Sequence, residues 1–419
     1  MVSSTVLKCN FCNRKILTRF QVGYNDIPFD FYCPCGVSIN GKYHIENHKL
    51  ELSNAEETEQ DPEKADYYIT LSSEFYSIKL CKYNGLEDML SNSLSPFMNS
   101  IMCFDSQNNI MEAGKKVSKY LNYQKNDWPK IKPLYELFFN HKIDLIKKPI
   151  ANYSIFLKVE NDLDAYMALH QINVVKVNSI FNKDILKDYT NIAHEIFDIS
   201  KKKELIKFIN YIKEKEKFDL LSKKIFEVYN DWIENFDKYL PIVYMSFANN
   251  KDALVLEKYG ITTISFEELK SFYVKSYELI LELLIIPIGL NNIFERGNYN
   301  EFYNESKAKT MDSFYKLSKY DRVYAISDED KFSKFLNLNR HVRNSISHFD
   351  YEYDKLNQII TFYDRYKGNI SENKIYLREF AEICFDNFKL LVYINELFYS
   401  LRKIDYIELG NFIHIKESI

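Results

Sequence analysis

Glycine and proline are scarce in this chain, ten and nine among 419 residues. That excludes collagen-like and Pro/Gly-rich low-complexity architectures. The charges nearly cancel: 55 Lys and Arg stand against 59 Asp and Glu, a formal net charge of −4. No global basic excess draws the chain to nucleic acid or membrane, so any nucleic-acid site must be a local patch. The most apolar stretch, residues 279–290, contains Glu282 and Pro287 and falls short of the roughly 20 residues a spanning helix needs. The opening residues have no long apolar core and lead directly to Lys8 and Cys9, so no secretory signal is expected. Seven cysteines, an odd number with four in the first 35 residues, argue against a disulfide framework and for a metal site in a reducing compartment. A soluble, cytoplasmic protein without membrane attachment is the expectation.

What is present is ordinary globular material, 46% hydrophobic and 27% charged, at a length that suits two or three domains of about 100–200 residues each. Residues 51–66 carry seven acidic residues against one Lys and almost no apolar content, which reads as an acidic linker or loop. Before it, residues 1–50 are too few for a confident apolar core and would need a staple. After it, residues 66–80 alternate apolar and polar positions as strands do, and the run near Val174 reads similarly. From Lys201 the apolar positions Leu205, Ile209, Ile212, Phe218, Leu221, Ile225 and Val228 recur at helical spacing. Its nine Lys against four acidic residues over 201–224 read as a solvated helix face. Beyond Gly260, helices are expected over 266–290, 299–317 and 329–347, the last capped by Ser327 or Asp328, and again over 377–401, with a β-favouring excursion near Ile359. Arg296-Gly297 reads as a helix terminator. The expected class is α+β and multidomain, mainly α. Its parts are a small cysteine-bearing module (1–50), the acidic segment (51–66), a central α+β and helical region with a sensing or regulatory role (67–259), and a C-terminal helical bundle (260–419).

Cys9 and Cys12 form C-x-x-C, and Cys33 and Cys35 form C-x-C, with twenty residues between the pairs. Two chelating pairs on tight turns, joined by a loop long enough to let them converge, are what a tetrahedral thiolate Zn²⁺ site requires. Asn10 and Asn13 at one pair, and Pro34 and Gly36 at the other, suit such turns. Four thiolates leave no open coordination position, so the metal would organise the fold and not activate water. The arrangement resembles a zinc ribbon. His44 and His48 are alternative ligands, while Cys81, Cys103 and Cys384 are isolated and read as core.

The other informative segment is residues 336–354. On a helix Asn344 and His348 stack one turn apart, Arg340 sits one turn before Asn344, and Arg343, about 140° from His348, can swing its long side chain to the same groove. Guanidinium, amide and imidazole together suit RNA cleavage. Imidazole can move the 2′-hydroxyl proton or protonate the leaving oxygen, and arginine can hold the phosphate. By spacing alone, Arg and His near a helix end more often cap carbonyls or make surface pairs. Asp162, Asp164, His170 and the His194-Glu195 pair have no partner at a defensible ligand spacing.

The string Arg343-Asn344-Ser-Ile-Ser-His348, near a helix end and followed by aromatic and acidic residues, resembles the R-N-x3-H form of the Arg-x4-6-His motif of the HEPN superfamily. The downstream Ile/Phe/Tyr run and the helix beginning LREFAEICFDNF are also similar, and the resemblance covers roughly residues 263–409. It implies a metal-independent endoribonuclease of the toxin or abortive-infection type in bacterial anti-phage defence. His348 would be the acid/base residue, Arg343 would stabilise phosphate, Asn344 would support them, and Arg340 would add an RNA contact. It further implies tRNA or mRNA as substrate, a homodimer through the C-terminal bundle, a phage-derived trigger or an antitoxin as partner, and 2′,3′-cyclic phosphate ends. The alternative is a non-catalytic dimerisation and RNA-binding adaptor.

Overall fold

The computed structural model describes residues 2–416 apart from 59–60, 93–94, 155, 183–186, 188–198, 320, 328, 337 and 367–368. The class is mixed α+β with three small sheets. Two compact units form, one from Met1–Leu121, Glu234–Tyr273 and His341–Phe385, the other from Asn122–Ile233, Val274–Arg340 and Asp386–Ile419. Their limits differ from the divisions expected at residues 50, 66 and 259.

In the first unit, β1 (Val2–Cys9), β2 (Lys15–Gln21), β6 (Ala55–Thr58), β7 (Tyr67–Ser72), β8 (Ser77–Lys82) and β9 (Tyr259–Gly260) share one sheet in the order β6-β1-β2-β7-β8-β9. Only β2 and β7 run parallel. Because side chains alternate across a strand, this sheet buries both faces. Leu7, Cys9, Ile16, Ile69 and Leu71 join one core cluster, and their neighbours Val6, Leu17 and Tyr68 join another with Met89 of α1 (Leu86–Asn92). The first cluster is shared with an antiparallel sheet of β3 (Ile27–Tyr32), β4 (Ser38–Tyr43) and β5 (Leu50–Ser53), where Phe20 stacks on Tyr43 at 4.5 Å.

The expected acidic linker is therefore corrected: β6 and all but the first residue of β5 lie within it. Its carboxylates serve as cross-strand partners, Lys8 Nζ meeting Glu56 at 2.9 Å and Thr5 Oγ1 meeting Glu57 at 2.8 Å. α2 (Pro96–Ile101) and α3 (Gln107–Asn122) follow.

In the second unit, α4 (Trp128–Phe139), α5 (Ile143–Ile150), α6 (Asp162–Asn178), α7 (Lys202–Lys215) and α8 (Phe218–Glu234) precede the short α9 (Leu240–Met245), which belongs to the first unit. The run near Val174, expected as strand, is helical. α6 opens with a capping box of Asn161 and Asp164 and is buried on several sides, so its apolar pattern loses the 3.6-residue period. α7 and α8 follow the expected spacing, with Leu205, Ile209, Ile212, Leu221, Ile225 and Val228 buried.

The C-terminal stretch holds α10 (Phe266–Leu283), α11 (Ile285–Arg296), α12 (Met311–Lys316), α13 (Arg340–His348), the meander β10 (Tyr351–Asp354), β11 (Ile359–Tyr366) and β12 (Asn369–Tyr376), and α14 (Leu377–Glu408). Phe266–Arg296 is long and apolar enough to cross a membrane by composition, and 83% of its apolar window is buried in the fold. The helix expected over 299–317 shrinks to α12. Local bonds such as Asn300 N–H to Asn298 Oδ1 at 2.9 Å and Ala308 N–H to Ser306 Oγ at 3.2 Å compete with helical ones there. The helix expected over 329–347 is reduced to α13 and a 3₁₀ turn at Ser333–Leu336, and the proposed cap Asp328 lies outside the described residues.

Candidate functional site

Two sites follow from the sequence expectations. The first is a candidate metal centre. β1 ends in Cys9, and the turn to β2 closes through Cys9 N–H to Arg14 O (3.0 Å) and Asn13 N–H to Cys9 O (3.0 Å), with Asn13 at φ 58°. The matching turn between β3 and β4 closes through Cys33 N–H to Val37 O (2.9 Å) and Gly36 N–H to Cys33 O (2.7 Å), with Gly36 at φ 89°. Glycine, and less commonly asparagine, adopt this left-handed conformation at low cost. The two turns bring all four Sγ atoms within 4.8 Å of one another. Cys12 Sγ lies 3.4 Å from Cys33 Sγ, and Cys9 Sγ 3.8 Å from Cys35 Sγ.

A tetrahedral ion with metal–sulfur bonds of about 2.3 Å has S···S edges of about 3.8 Å, so the donor set fits such an ion. Burial, followed by the bonds from neighbouring thiols, pushes the Cys33 thiol up; a bound cation would hold it as thiolate. The alternative ligands are engaged elsewhere: His44 bridges Asp26 and Glu51, both at 3.0 Å, and His48 Nδ1 lies 2.6 Å from Tyr43 Oη. Cys103 and Cys384 are buried as expected, and Cys81 is half-buried.

The second site is α13. Val342 and Ile346 are buried, while Arg343 and Asn344 are half-buried and His348 is exposed at the last helical turn. Arg343 Nη1 lies 3.5 Å from Asn344 Oδ1. Among the described residues, no hydrogen bond or ion pair engages His348, so the structure brings Arg343 and Asn344 together and leaves the imidazole accessible. The Arg340 side chain lies outside the described residues.

The helix ends in a Schellman motif, in which Phe349 N–H bonds Ile346 O at 3.3 Å and Asp350 N–H bonds Ser345 O at 2.9 Å. The left-handed position, usually glycine, is Phe349 at φ 57°, a residue 80% exposed. Ser345 Oγ lies 2.9 Å from both the His341 and Tyr363 carbonyl oxygens, and His341 Nδ1 lies 2.5 Å from Asp364 of β11. These two contacts fasten α13 to the meander. They escaped sequence reasoning because the partners lie 18 and 23 residues away.

The meander is itself anchored. Gln358 exchanges bonds with Ile261 (N–H to Oε1, 3.1 Å; Nε2 to O, 2.7 Å), and a Cβ on Gly260 would lie 2.0 Å from Gln358 Oε1. Lys79 Nζ donates to Leu256 O at 2.7 Å and Asn357 O at 2.5 Å. Burial pushes Lys79 down to about 8.

The remaining residues have structural roles. Arg296 pairs with Asp330 at 3.3 Å, and Gly297 terminates α11 at φ 74°. Asp164 caps α6 and bonds His414 Nδ1 at 2.8 Å, and Asp162 lies in the first turn of α6. His170 pairs with Glu396 at 3.0 Å and stacks on Tyr399 at 3.6 Å. His194 and Glu195 lie outside the described residues. No family model, curated protein or solved structure matches this chain.

Proposed function

We propose that this protein is a metal-independent endoribonuclease effector of bacterial anti-phage defence, of the HEPN type. The observation that carries the reading is the Arg343-Asn344-x3-His348 set on one short helix, with an accessible imidazole at its end. In this reading His348 takes the proton of the 2′-hydroxyl as that oxygen attacks the adjacent phosphorus. The bond to the 5′-oxygen breaks, and that oxygen is protonated as it leaves. Arg343 stabilises the charge that builds on the phosphate, and Asn344 holds the guanidinium in place. The products are a 2′,3′-cyclic phosphate and a 5′-hydroxyl. A homodimer places two such helices on one composite cleft, which supplies the second acid/base group.

In the same reading the four-cysteine centre holds a structural Zn²⁺ and takes no part in the chemistry, because four thiolates leave no position for water. The protein acts in the cytoplasm on tRNA or mRNA, and a phage-derived trigger or an antitoxin controls it. The test is growth arrest on induced expression. Wild type should arrest growth, and His348→Ala and Arg343→Ala should relieve the arrest at equal protein levels. Arrest that persists in both variants would sink the nuclease reading.

A further inference from the structure

β12 is an outer strand of the meander, and residues 370–374 along it are all exposed. Two bonds show which way its backbone points. Leu377 N–H donates to Gln358 O at 2.8 Å, continuing the register in which Tyr376 faces Ile359. Tyr363 N–H, opposite Glu372, donates instead to Asp350 O at 2.9 Å. Bonded and non-bonded pairs alternate along an antiparallel ladder. Ser371, Asn373 and Ile375 therefore bond β11, whereas Ile370, Glu372, Lys374 and Tyr376 turn their backbone groups to the open edge. Tyr376 N–H is taken by the Glu379 carboxylate at 2.9 Å. Among the described residues, no strand or loop backbone meets the other outward groups. Such an edge is a template for a further strand, and this one has neither a proline nor a register shift to blunt it.

We infer that β12 pairs antiparallel with β12 of a second copy of this chain, with Asn373 on the two-fold axis. Only residues that face the edge can form the bonded pairs of such a ladder, so three symmetric registers keep most of the strand paired. One sets Glu372 against Glu372 of the second copy, and another sets Lys374 against Lys374. Each places like charges directly opposite, which destabilises a sheet. The third sets Glu372 against Lys374 and Lys374 against Glu372, so both central pairs attract. It also sets Ile370, 58% exposed, against Tyr376, whose carbonyl is open to Ile370 N–H. These side chains share one face because they alternate along the strand. Among the described residues, no ion pair within the chain engages Glu372 or Lys374. The charge pattern thus selects both the occupant and the register. The inference concerns a sheet edge and not the chemistry of His348, so it stands apart from the nuclease reading.

The experiment is sedimentation equilibrium on the full-length protein, as wild type, Glu372→Lys, Lys374→Glu and the double exchange, with folding checked by circular dichroism. Wild type should dimerise reversibly. Each single exchange puts like charges opposite in both symmetry-related pairs and should weaken the dimer at least fivefold, while the double exchange should return it to within twofold of wild type. A cross-link reads the register. Asn373 meets Asn373 of the second copy as a non-bonded pair with Cα atoms about 4.5 Å apart, within disulfide range. Asn373→Cys should therefore form a covalent dimer on mild oxidation above the wild-type background, and Ser371→Cys should not. A wild type that stays monomeric at hundred-micromolar concentration, a dimer unaffected by the single exchanges, a double exchange no better than the singles, or cross-linking at position 371 and not 373 would overturn the inference.

Discussion

Cys35 offers the sharpest test of the metal centre, because its side chain is exposed whereas Cys9 and Cys33 are buried. As a surface thiol it should tolerate serine within about 0.5 kcal/mol, the usual range for exposed substitutions. As the fourth ligand of a bound ion it completes the tetrahedral set by which the ion ties together two turns separated by twenty residues. A covalent cross-link closing about 15 residues is worth roughly 3 kcal/mol in the chain-entropy account, rising slowly with length. Cys35→Ser should therefore cost about 3 kcal/mol if the fourth bond secures the ion. For a cooperative unit of roughly 200 residues that is a fall in Tm of about 6–12 °C, at 2–4 °C per kcal/mol. The assay is differential scanning calorimetry with metal quantification on the same samples. One zinc per wild-type chain, with loss of both metal and stability in the variant, is the expected outcome. A variant that melts within 1 °C of wild type with its metal content unaltered would refute the reasoning.

Three further outcomes follow from the packing. Lys79 titrates near 8 in the folded protein against 10.5 in an ordinary environment, so the unfolded chain binds the extra proton between those values. Its contribution is complete above about pH 10.5 and gone below about pH 8, and urea stability should rise with pH across that window in wild type relative to Lys79→Met. Parallel curves for the two proteins would contradict this. Gly289→Ala would drive a Cβ to 2.0 Å from the ring of the fully buried Phe208 and should destabilise by about 1–3 kcal/mol, the usual range for overpacking, read as a lower urea midpoint. Phe349→Gly relieves a left-handed aromatic residue that is largely exposed. It should stabilise by about 0.5–1 kcal/mol, since the relief of about 1–2 exceeds the entropic cost of glycine, and a lower denaturation midpoint would show that reasoning to be wrong.

The four cysteines were legible in the sequence because chelating turns are local, and the turns close through bonds within five residues. The helical faces of α7 and α8 were legible for the same reason, as was the glycine that ends α11. What escaped was non-local. β6 is acidic, and its charges are matched by Lys8 and Thr5 across the sheet, a pairing that composition cannot display. The Val174 run looked like strand because a helix buried on several sides loses its polar face. α13 was expected, but its clasp to Tyr363 and Asp364 depends on a meander formed later in the chain. Glu74 drew no notice, since an acidic residue between Ser73 and Phe75 says nothing about burial until the Gly23 turn closes over it.

The central claim rests on His348, and the most direct measurement is incubation of purified wild type and His348→Ala with total cellular RNA in EDTA, with folding checked in parallel by circular dichroism. The account predicts cleavage by wild type alone, leaving 2′,3′-cyclic phosphate and 5′-hydroxyl ends. Cleavage that is identical in both proteins, or products with 3′-hydroxyl ends, would contradict it.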